Sequence, residues 1–171
     1  VQRQWEVAER KTRRVAILPL LRSKVPSEPL PTLILEQHRP PLGTNAISYP
    51  QWGLSKYAGL IDHGETAETE LKEETGLTAA SIVESSPVLV PDAGMTRANM
   101  KFVVLDVDLD SLSDELPFQN LEDGEYIVWR IVELDELSAV LQDYAKRGFA
   151  IDARLSHFAM GWNFSRKFSK K

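Results

Sequence analysis

"GLIDHGETAETELKEETG" (residues 59–76) places three glutamates, Glu70, Glu73 and Glu74, just ahead of a Thr-Gly stop. On an α-helix these positions share one face, three and four residues apart. Leu71 points elsewhere and can anchor the helix to a core. Glu65 and Glu68 suit the positive end and Gly76 suits the exit, so the pattern predicts a helix over 66–75. Like charges at this spacing repel, and a divalent cation would relieve the repulsion by taking up the carboxylate oxygens. Magnesium is a natural candidate, because it prefers oxygen ligands and commonly bridges to substrate phosphates. A glutamate-rich face is also commonly just solvated, and Lys72 stands among these acids. Spacing alone leaves both readings open. The glycine loop Gly59–Gly64 favours the metal modestly, since such a loop brings backbone groups close to a polyphosphate.

The chain around this stretch has 171 residues, 43% hydrophobic and 26% charged, which suits one globular domain with a real core. A formal net charge of -5 lends no overall electrostatic support to nucleic-acid binding. The absence of cysteine excludes disulfides, thiolate catalysis and zinc–cysteine sites. No apolar run is long enough to cross a membrane as a helix. The opening "VQRQWEVAERKTRR" is polar and does not read as a signal peptide; without an initiator Met it reads as a processed product or a fragment.

"RRVAILPLL" (13–21) and "PTLILEQH" (31–38) read as strands, followed by a rigid turn at "RPPLG" (39–43). "TNAISYPQWGLSKY" (44–57) follows no clean period, and Pro50 and Gly53 interrupt it. "NMKFVVLDVDL" (99–109) and "EYIVWRIVE" (125–133) read as further strands, with an acidic loop between them. "LDELSAVLQDYAKRG" (134–148) has helical spacing at Leu134, Leu137, Leu141 and Tyr144, and "IDARLSHFAMGWNFSRKF" (151–168) reads as a final helix with a frayed basic tail. The mixture predicts an α+β or layered α/β fold. His38, His63 and His157 are scattered without ligand spacing, so neither a zinc site nor a catalytic triad is built from them.

The opening stretch as a whole resembles the Nudix box of the Nudix hydrolase family. Gly59 and Glu65 match its first half; Glu70, Leu71, Glu73, Glu74, Gly76 and Leu77 match its second. "AGLIDHGET" (58–66) looks like the ADP-ribose pyrophosphatase (ADP-sugar diphosphatase) branch. "WEVAERKTR" (5–13), "QHRPPLG" (37–43), "SSPVLVPDAGMT" (85–96), "LEDGEYIVW" (121–129) and "IDARL" (151–155) resemble other elements of that branch in the same order. The resemblance runs from about residue 5 to 160.

It implies a Nudix fold, a mixed β-sheet sandwiched between helices, spanning 1–171 as one domain from which N-terminal strands of the branch are missing. It implies magnesium, with manganese as an alternative, held by Glu70, Glu73, Glu74 and the backbone carbonyl of Ala58. Glu125 matches an acidic residue implicated as a base or metal helper. Trp5, with Arg10 nearby, matches an aromatic that stacks on adenine across a homodimer, and Arg39 matches a substrate-contacting arginine. The implied reaction is hydrolysis of ADP-ribose, or a related nucleoside diphosphate sugar, to AMP and a sugar phosphate. Family habit implies a cytoplasmic location, with the nucleus also open. The competing expectations are a Nudix hydrolase of another nucleoside diphosphate, and an inactive Nudix module that binds nucleotide or serves as a scaffold.

The chain departs from the pattern in two places, one inside the box and one just upstream of it. Only "TAE" separates Glu65 from Thr69, where the family has seven residues and then an arginine. The four missing residues correspond to about 6 Å of helical rise and roughly 40° of extra rotation. Upstream, "QWGLSKY" (51–57) looks inserted between "ISYP" and "AGLID", and Ser48 replaces a glutamate. Both changes predict reduced activity, because metal affinity and water activation need the complete constellation. Two explanations stay open: a gene-model artefact, with 51–57 as retained non-coding sequence and four codons skipped, or a real paralogue with weakened or altered chemistry.

Overall fold

The computed structural model describes residues 13–25, 27–54, 63–94, 98–110, 117–121 and 126–169. Its strands are β1 (Arg13–Ser23), β2 (Pro31–Arg39), β3 (Thr44–Ser48), β4 (Gln51–Leu54), β5 (Ser81–Ser85), β6 (Asn99–Leu109), β7 (Ile127–Glu133) and β8 (Ala150–Ile151). The helices are α1 (His63–Thr75), α2 (Leu137–Lys146) and α3 (Ala153–Phe168).

β1 is the spine. It runs parallel to β6 along its whole length, from Arg13 opposite Asn99 to Ser23 opposite Leu109. Its other edge is shared: Arg13–Ala16 pair with β4, and Leu20 pairs with Thr32 of β2. β2 in turn carries β7 and β3, and β3 carries the short parallel β8. The strand pair β3–β4 thus turns at Pro50 from β2 to β1, and the Ile17 amide donates to the Pro50 carbonyl at 2.9 Å.

Alternation along the strands divides the core into two. Ala16, Leu18, Ile34 and Val132 face one side, where Leu137, Leu141 and Tyr144 of α2 and Leu155 and Ala159 of α3 cover them. Val15, Ile17, Leu21, Leu33, Val103, Leu105 and Val107 face the other, beneath Ala67 and Leu71 of α1. The result is the mixed sheet sandwiched between helices that the motif order implies. β1 and β6 are apolar on both faces because helices cover both.

Two details differ from the sequence reading. The segment 44–57, which has no clean period, yields β3 and β4, and Gln51–Leu54 are built into the sheet opposite β1. The first part of the apparent insertion is therefore a strand, because it satisfies the backbone groups on the β1 edge. Residues 55–57 lie outside the described residues. β5 and the two-residue β8 were not predicted; both are too short for a hydrophobic period to register.

Candidate active site

α1 begins at His63, three residues before the predicted start, and ends at Thr75. Ala67 and Leu71 are fully buried against β1, β2 and β6. Glu70 and Glu74 flank them on the same stripe and are only 5% and 8% exposed, whereas Glu73 is half-buried and Glu68, Thr69 and Lys72 are exposed. The solvated-face reading therefore fails for two of the three acids. Burying a carboxylate is costly unless hydrogen bonds, an opposite charge or a metal compensates. Both residues have interactions with their surroundings. Glu70 Oε1 and Glu74 Oε2 are buried oxygens that receive no hydrogen bond among the described residues.

The end of the helix is tightly made. Thr75 Oγ1 donates to the Leu71 carbonyl at 2.5 Å and accepts from the Leu77 amide at 3.2 Å. Gly76 follows at φ 77° with its amide donating to the Lys72 carbonyl at 2.8 Å. Residues 117–120 lie against this last turn, with the Asn120 amide donating to the Glu73 carbonyl at 2.9 Å. This contact was not legible in the sequence, because Asn120 lies 47 positions from Glu73 and its segment carries no periodic pattern.

Arg39 ends β2, pairs with Thr44 across the hairpin and is followed by a 3-10 turn at Pro40–Leu42 and by Gly43 at φ 64°. Strand alternation from Leu33 through Leu35 and Gln37 puts Arg39 on the α1 side of the sheet, the side of the three glutamates. His38 takes the opposite side. It shares a 3.2 Å contact with Asn45 and lines a polar cavity of about 350 Å³ with Thr44, Arg147 and Phe149. That cavity is on the α2 side and is separate from the carboxylates.

Trp5, Arg10, Ala58 and Glu125 lie outside the described residues. Among the described residues no three His, Asp or Glu side chains gather closely enough to hold a metal ion. The α1 carboxylates have the donor chemistry that magnesium takes, hard oxygens on a fixed helix.

No protein-family model matches the chain. An uncharacterized Nudix hydrolase of Schizosaccharomyces pombe is 38% identical over 96% of this chain and 80% of its own length. The ADP-ribose pyrophosphatase of Saccharomyces cerevisiae is 33% identical over 99% of this chain and 74% of its own. Among solved structures, an ADP compounds hydrolase superposes with a TM-score of 0.65 at 18% identity, covering 99% of this chain and 80% of the other. That last likeness speaks for the fold.

Proposed function

The chain belongs to the Nudix hydrolase family, and from that premise we propose that it hydrolyses the diphosphate of ADP-ribose or a closely related nucleoside diphosphate sugar. Water attacks one phosphorus, the bridging P–O bond breaks, and AMP and a sugar phosphate leave. The observation that carries this reading is the burial of Glu70 and Glu74 side by side on α1. Two acids kept out of water on a helix packed against the sheet are costly to a fold and useful to a phosphoryl-transfer site.

Magnesium, or manganese in its place, would be held by Glu70, Glu73, Glu74 and the Ala58 carbonyl. When bound it offsets charge developing on the phosphoryl oxygens and makes water more acidic. The chain's own groups do the rest. Arg39 offers a planar cation to a phosphate or ribose from the α1 side of the sheet. Trp5 stacks on adenine beside Arg10, in a pocket completed across a homodimer. The Glu125 carboxylate accepts the proton of the attacking water. The 171 residues act as one domain, and the one continuous sheet supports this. The site of action is the cytoplasm, with the nucleus as a further compartment.

Release of AMP from ADP-ribose by the purified chain, with magnesium and then with chelator, tests the reading. Magnesium-dependent AMP supports it, and a panel of other nucleoside diphosphates then ranks the substrates. Tight ADP-ribose binding without turnover would replace it with an inactive binding module. The four-residue shortening of the box and Thr69 in the arginine position favour that second outcome.

A further inference from the structure

The last carbonyls of an α-helix have no partner within the helix and must find one elsewhere. In α1 these include the carbonyls of Glu73 and Glu74, two of the three acids of the candidate site. The Leu77 amide, which could have served Glu73, is turned to Thr75 Oγ1 instead. Both carbonyls are served from a distant part of the chain. The Asn120 amide donates to the Glu73 carbonyl at 2.9 Å, and Gln119 Nε2 donates to the Glu74 carbonyl at 2.6 Å. The same Gln119 nitrogen lies 3.2 Å from the Ile127 carbonyl, at the first residue of β7. One side-chain amide therefore joins the end of α1 to the start of β7, the strand paired with β2.

The surroundings leave this segment little freedom. Gly76 has no Cβ, and one placed there would lie 2.6 Å from the Phe118 carbonyl oxygen and 2.9 Å from Pro117. The backbone of 117–118 is thus in direct contact with the helix terminus, which keeps Gln119 in reach of both acceptors. A glutamine suits the task because its amide nitrogen has two hydrogens, one for each carbonyl.

We propose that Gln119 is a positioning residue: a cap supplied from across the chain that fixes the last turn of α1 and, with it, the Glu73 and Glu74 carboxylates. Its role in turnover rests on the hydrolase reading above. Glu70 sits a turn earlier, inside the regular hydrogen-bonded ladder, and does not depend on Gln119. Nucleoside contacts such as Arg39 are on another element. Loss of the cap should therefore affect metal use and the chemical step more than substrate affinity.

The test compares the full chain with Gln119→Met, which keeps the length and removes both donors, and Gln119→Glu, which turns acceptor oxygens toward the two carbonyls. Partners that orient metal-binding groups typically contribute about 10- to 100-fold in affinity or activity. Both variants should stay folded, with kcat lowered by about that factor, a higher half-saturating magnesium concentration and a KM for ADP-ribose changed by less than about twofold. Gln119→Glu should be the more impaired. Folded variants with parental kcat and parental magnesium dependence would overturn the proposal. If the parent itself releases no AMP, the hydrolase reading has failed separately. Hydrogen exchange at the Asn120 amide then decides: faster exchange in Gln119→Met supports the cap, and unchanged protection overturns it.

Discussion

Gly76 and Phe118 meet backbone to backbone, so closely that a methyl group on Gly76 would stand 2.6 Å from the Phe118 carbonyl oxygen. Gly76 also holds φ at 77°, where a side chain is strained. A left-handed backbone costs a non-glycine residue about 1–2 kcal/mol, and displacing residues 117–118 adds to it. Gly76→Ala should lower stability by about 2 kcal/mol or more. Urea denaturation checks this; a loss below about 0.5 kcal/mol, the scale of an ordinary surface change, would contradict the contact.

Glu70 and Glu74 should couple magnesium to folding. A ligand at a hundredfold excess over its Kd stabilises by about 2.7 kcal/mol, or roughly 5–10 °C in Tm for a chain of this size. Glu70→Gln and Glu74→Gln should each lose most of that shift while remaining folded. An equal magnesium-induced shift in parent and variants, measured by calorimetry, would remove these carboxylates from the site.

Asp152 caps α3. Its Oδ1 accepts the Arg154 amide at 2.9 Å and the Leu155 amide at 3.4 Å, and its Oδ2 pairs with Arg154 Nη2. Burial works to raise its pKa, but the hydrogen bonds and charge of Arg154, with the two amides, outweigh burial and hold it below 3.8. A depressed carboxyl adds stability above its unfolded value of about 3.9, and that stability is lost as pH falls through the folded pKa. Asp152→Asn should cost about 1–2 kcal/mol at neutral pH. The gap from the parent should close as pH falls through the lowered folded pKa of Asp152. Denaturation at several pH values checks this, and a gap independent of pH would sink it.

Tyr49 is buried, and its hydroxyl finds no hydrogen-bond partner among the described residues. Burial, reinforced by the Asp152 charge and opposed by Arg154, raises its pKa far above the usual tyrosine value. Tyr49→Phe removes an unsatisfied group and should be neutral or stabilising by up to about 1 kcal/mol. Above pH of about 10 the unfolded chain ionises this tyrosine and the folded chain does not, so parental stability falls as pH rises. The phenylalanine variant should show a shallower alkaline decline. Destabilisation by more than about 1 kcal/mol would reveal a hydrogen bond at the hydroxyl.

Deleting residues 51–57 removes β4 from the β1 edge. Four paired residues, taken as about one hydrogen bond each at a net 0.5–1.5 kcal/mol, amount to a loss on the order of 2–6 kcal/mol. A deletion variant with an unchanged or higher Tm would instead mark the segment as dispensable.

Much of this protein is determined locally. The strands at 13–23, 31–39 and 99–109, the acidic helix and the two C-terminal helices follow from hydrophobic period and from residues that stop or cap a helix. The three glutamates and Arg39 stand out in the sequence only through the resemblance, because spacing alone leaves a solvated face open and a lone arginine carries no pattern. Tertiary structure decided what no period encodes. It put Glu70 and Glu74 in the buried margin of α1 and left Glu73 half-exposed, since the sheet beneath sets which helical stripe is covered. It made a strand of Gln51–Leu54, because the free edge of β1 needed partners. It brought Gln119 to the carbonyl of Glu74, 45 positions away in sequence, because a helix end must find donors wherever the fold supplies them.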